Sequence, residues 1–173
     1  QPFTGHELQH IKHYVENGGS ALFIMQEGGE TRLDTNINAF LEQVGISVNS
    51  DSVIRKHFYK YLHPKEAFIG NGILNRELVR VAKGEAKQSN QKTGKYAKRY
   101  AVNKEDLVER DENGGLKFVY PYGSTLNVNR PAVPILSSGP ISFPANRPVG
   151  AFYTSQRKGK LFVLGSMKFF HDD

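Results

Sequence analysis

The apolar run Ala21-Leu22-Phe23-Ile24-Met25 leads almost directly into Glu27-Gly28-Gly29-Glu30 and then into Asp34-Thr35-Asn36-Ile37-Asn38. Beyond it, Phe40, Leu41 and Val44 recur at helical spacing. The order is strand, Gly-rich turn, helix. No other stretch constrains the fold as tightly. An apolar run without alternation has no solvent face, so it belongs to a strand covered on both sides, as in a parallel sheet. In an open α/β sheet, the loop at the carboxyl end of such a strand is where ligands sit. The chain therefore holds either a working crevice or the relic of one inside an interaction module, and the remaining motifs favour the relic.

Other elements follow from local pattern. Thr4 with Glu7 three positions on forms a capping-box signature, and Leu8, Ile11 and Val15 make one apolar stripe that Asn17-Gly18-Gly19 ends. This predicts a helix over 4–17. Asp34 or Thr35 is expected to cap the next helix, which stops near Gly45. Short strands are expected at 46–48, 53–61 and 67–69, and a helix at 73–82 on Leu74, Leu78 and Val81. The second half reads as short strands at 118–120, 125–128, 132–136, 149–153 and 161–164, broken by Pro131, Pro134, Pro140, Pro144 and Pro148. The expected fold is α/β, with a mostly parallel central sheet flanked by helices and a strand-rich second half.

With 173 residues the chain fits a single α/β domain, 1–173. It begins at Gln1 and reads as a piece of a longer chain, truncated at both ends. A hydrophobic content of 38% and a mean hydropathy of −0.50 suit a soluble domain. No apolar run approaches the ~20 residues of a membrane helix, so no membrane insertion is expected. The absence of cysteine removes a thiol nucleophile, a disulfide framework and thiolate metal sites from these residues. The net charge of +6 has a local origin. Lys83, Lys87, Lys92, Lys95, Lys98 and Arg99 sit among Ser, Asn, Gln and Gly, and Glu105, Asp106, Glu109, Asp111 and Glu112 follow. Low hydrophobicity with segregated charge predicts a mobile insertion loop at 84–115. A nucleic-acid surface is the sharper reading of the lysines. Tyr96 and Tyr100 do not supply the regular aromatic interleaving a stacking platform needs, so no nucleic-acid partner is expected.

Three motifs offer chemistry. His6-Glu7-Leu8-Gln9-His10 matches the zinc-peptidase pattern, and His13 extends it. At about 100° per residue, however, the three histidines fall opposite Leu8, Ile11 and Val15, on the solvent face. No metal site is expected there. Gly28 and Gly29 lack the GxGxxG or Walker A context of a phosphate cradle, and Glu27 and Glu30 would repel an anion. Their expected role is a positive φ in a tight turn. Ser166 follows Leu164-Gly165 without the second Gly of a nucleophile elbow, so a capping role is expected. The alternative is a small-molecule-binding or hydrolase-like domain using the crevice near Glu27–Glu30 and Ser166. The expected contact segments are the loop carrying Glu27, Glu30, Asn36 and Asn38, the segment carrying Tyr59, Tyr61, His63, Lys65 and Glu66, and the Pro-stiffened loop Phe143-Pro144-Ala145-Asn146-Arg147-Pro148.

Taken together, Glu27-Gly28-Gly29-Glu30, Asp34-Thr35-Asn36-Ile37-Asn38, Lys60-Tyr61-Leu62-His63-Pro64-Lys65-Glu66-Ala67, Gly72-Ile73-Leu74-Asn75-Arg76-Glu77, Phe118-Val119-Tyr120-Pro121-Tyr122-Gly123 and Asn146-Arg147-Pro148 resemble the amino-terminal domain of the intraflagellar transport protein 52 family. The matches run in order along the chain and leave out only the insertion. The resemblance implies a domain related to class I glutamine-amidotransferase-like and flavodoxin-like sheets. It implies a non-catalytic scaffold of intraflagellar transport complex B, needed for cilium assembly, with other complex B subunits as partners and no cofactor. It also implies location at the cilium and ciliary base with a cytoplasmic pool.

Overall fold

The computed structural model describes residues 2–57, 60, 62–75, 78 and 116–171. Helix α1 (Gly5–Glu16) begins as its sequence dictates. The Thr4 Oγ1 accepts from the Glu7 N–H (3.3 Å), while the Glu7 carboxylate accepts from the Thr4 N–H (2.8 Å). At the other end, the Asn17 N–H donates to the His13 carbonyl and Gly18 turns at φ 102°. Val15 is buried, with Leu8 and Ile11 packed beside it.

Strand β1 (Ser20–Ile24) pairs in parallel with β10 (Lys160–Leu164), Phe23 opposite Val163. Strand β9 (Pro148–Thr154) follows antiparallel, then β7 (Val133–Ser137), giving a four-stranded sheet in the order β1-β10-β9-β7. Among the described residues, three antiparallel pairs lie around it. They join β2 (Ile46–Val48) to β6 (Leu126–Val128), β3 (Ile54–Arg55) to β8 (Ser142–Phe143), and β4 (Glu66–Gly70) to β5 (Lys117–Pro121).

Two apolar clusters explain the apolar runs. On β10, Leu161 and Val163 enter a cluster with Val15, Phe40, Leu41, Ile46 and Leu126. Phe162 and Leu164 enter a second one with Val53, Ala67, Ile69, Tyr120 and Val149. A strand buried on both faces has no polar register, as its sequence shows.

The architecture is mixed α/β and mostly sheet, and it corrects the expectation of a mostly parallel sheet flanked by helices. Among the described residues the β1–β10 pair is parallel and the other ladders are antiparallel. The physical reason is connection length. Residues 155–159 link β9 to β10 in a short loop closed by Ser155 N–H to the Gly159 carbonyl (2.8 Å), too short for a parallel crossover. The run at β1 is parallel as expected, but it is not covered on both sides: Leu22 is 53% exposed.

Helices are also shorter than expected. Neither Asp34 nor Thr35 caps one; Asp34 ends α2 (Gly29–Leu33), at φ 48°, and Ile37 precedes the next helix. The following helix α3 (Asn38–Leu41) runs through a 3₁₀ turn to Gly45, at φ 86°, and so stops where expected. Of the strand expected over 53–61, β3 covers two residues; Phe58, Tyr59 and Tyr61 lie outside the described residues. Most of the helix expected over 73–82 and all of the insertion 84–115 also lie outside them.

Replacing Thr4 by Ala is expected to cost about 1 kcal/mol. Leu161→Ala, in a fully buried site, is expected to cost about 2–5 kcal/mol. Denaturant unfolding of the two variants checks both values.

Candidate functional site: the Glu27 loop

The chain leaves β1 into a loop that three other segments close. The Glu27 N–H donates to the Tyr122 carbonyl (2.9 Å), Gly28 N–H to the Asp51 carbonyl (2.9 Å), Val53 N–H to the Gly123 carbonyl (2.8 Å) and Tyr122 N–H to the Lys65 carbonyl (2.8 Å). Gly28 and Gly29 turn the loop at φ 78° and 54°. At Gly29 a Cβ would sit 2.6 Å from the Asn49 carbonyl oxygen, so glycine is required on two counts. The expected positive-φ role of the pair is what the loop uses.

Glu27 projects inward and is 6% exposed. Its Oε1 accepts from Arg32, and its Oε2 pairs with Lys65 Nζ (2.6 Å) and accepts from Ser52 Oγ (3.1 Å). Burial alone would raise its pKa. The hydrogen bonds from Lys65, Arg32 and Ser52 outweigh burial, and the carboxyl titrates below its ordinary range. The loop at the end of β1 thus closes on an ion cluster of the protein's own side chains.

The polar residues around it are spent on the backbone. Glu30 accepts from the Asn38 N–H (2.5 Å). The Asn38 side-chain amide pins both groups of one residue, accepting from Val48 N–H (2.8 Å) and donating to the Val48 carbonyl (3.0 Å). Asn36 does the same to Phe3, at 2.7 and 2.9 Å. Each amide therefore acts as a one-residue strand. The Asp51 carboxylate accepts from the N–H and the hydroxyl of Thr125, both at 2.7 Å. Asn49 donates to Thr125 Oγ1 (2.8 Å), Asn127 donates to Asn49 Oδ1 (2.7 Å), and Arg147 donates to Asn127 Oδ1 (2.5 Å). This chain of contacts joins the Glu27 loop to the 143–148 loop.

Of the contact residues expected from sequence, Glu27 and Lys65 meet directly, as do Glu30 and Asn38. His63 receives the Lys65 N–H on Nδ1 (3.1 Å) and lies 4.9 Å, ring to ring, from Tyr122. Lys168 sits 4.6 Å from the same ring on Tyr122. Glu66 opens β4, half-buried. Asn146 turns at φ 54° and, with Arg147, belongs to the neighbouring loop. Tyr59 and Tyr61 lie outside the described residues. Arg32, Ser52, Asp51 and Thr125 were missed. The run Asn49-Ser50-Asp51-Ser52 carried a turn signal, but nothing in spacing connects it to Glu27 or Thr125.

The rival chemistries find their groups engaged elsewhere. Ser166 is fully buried and its hydroxyl donates to the Pro121 carbonyl; it precedes a 3₁₀ turn without capping it through its side chain. Glu7 is held by the α1 cap, and His6, His10 and His13 are exposed on the face opposite Val15.

A model of the IFT52 GIFT domain matches residues 1–173. The chain belongs to the IFT52 GIFT domain family. It is 45% identical over 178 residues to the Intraflagellar transport protein 52 homolog of Mus musculus, covering 99% of this chain and 38% of that one. Against the Homo sapiens homolog the identity is 43% over 177 residues, with 99% and 36% covered. The chain therefore spans well under half the length of these relatives. A solved structure titled mmIFT52 N-terminal domain superposes with a TM-score of 0.77 at 44% identity, covering 99% of this chain and 64% of that one. The family suggested by the residue matches is the family found.

Because the Glu27 pKa is lowered on folding, its contribution is present above the unfolded carboxyl pKa of about 4.3 and is lost as pH falls through the folded value. Glu27→Gln is expected to cost about 1–2 kcal/mol at neutral pH, since its cations are 55% and 38% exposed and already partly hydrated. The gap between wild type and variant should close as pH falls below about 4. Urea unfolding of both at a series of pH values checks this. Gly29→Ala is expected to lose about 2 kcal/mol or more, measured the same way.

Proposed function

We propose that this domain is a non-catalytic interaction module of intraflagellar transport complex B. On this reading it holds its surfaces rigid for other complex B subunits, in the assembly of cilia, at the cilium and ciliary base with a cytoplasmic pool. The observation that carries the reading is the Glu27 cluster. In a family whose relatives are named for intraflagellar transport, the loop where an α/β enzyme would bind its substrate carries a buried carboxylate engaged by Arg32 and Lys65 of the same chain. Support also comes from the absence of cysteine, which leaves amidotransferase chemistry without its nucleophile. Within this reading Glu27, Glu30, Asn36 and Asn38 act by positioning the loops. Arg32, His63, Lys65, Glu66, Asn146 and Arg147 lie nearer the contact surface. Among the described residues no helix is long and apolar enough to cross a membrane.

The hydrolase-like alternative makes the opposite demand on Ser166. In ciliated cells lacking the endogenous protein, full-length protein carrying Ser166→Ala is expected to restore cilium number and length as wild type does. Removal of the domain is expected to abolish restoration. A Ser166→Ala protein that folds and accumulates normally yet fails to restore cilia would overturn the non-catalytic reading.

A further inference from the structure

We draw no further inference here: the strongest candidate, the apolar row that Leu22, Phe162, Phe152 and Val133 form across one face of the β1-β10-β9-β7 sheet, with Leu22 53% and Val133 58% exposed, carries none because nothing in the structure shows what covers it.

Discussion

A carboxylate placed in the interior of a protein must be paired or neutral, and Glu27 is paired. Its partners come from three separate segments: Arg32 from the short helix that follows it, Ser52 from the loop after β2, and Lys65 from the approach to β4. Opening any one of these loops leaves a poorly solvated charge behind. The same junction carries the backbone bonds of Glu27 to Tyr122 and Gly28 to Asp51, so its polar network and its loop positions are fixed together. From Asp51 the network runs on through Thr125, Asn49 and Asn127 to Arg147. A single buried acid thus ties together the upper end of the sheet.

This arrangement converts the ligand position of an α/β sheet into a joint. In an enzyme the loop after the first strand leaves its polar groups aimed at substrate. Here Glu30, Asn36, Asn38 and Asp51 aim theirs at backbone amides of the same chain. What remains for a partner is shape, exposed cations and a few apolar side chains on braced loops. A rigid surface of that kind suits assembly, where affinity gains from groups that need no ordering on contact.

The parts legible in the sequence were those fixed by local physics. The Thr4–Glu7 cap, the Leu8, Ile11 and Val15 stripe and the glycines of the turn each follow from nearest-neighbour chemistry. Strand direction was read correctly at β1 but did not extend to β7 and β9, because an apolar run is equally apolar beside a parallel or an antiparallel neighbour. Nor were the partners of Glu27. Ser52 and Lys65 are 25 and 38 positions away, and only the fold brings them within reach. Asp34 misled because a short polar residue serves equally well as a helix start or as a left-handed stop, and the second use prevails at φ 48°.

Native-state hydrogen exchange tests this account most directly, since it reads whether the crevice is closed in solution. If the Glu27 cluster locks it, the amides of Glu27, Gly28, Val53 and Thr125 exchange only about as fast as those of β1 and β10, through openings close to global unfolding. Exchange of these amides near the rate of an unstructured peptide, while β10 stays protected, would mean that the crevice opens freely. That result would contradict the closed joint and return the site to the ligand-binding reading.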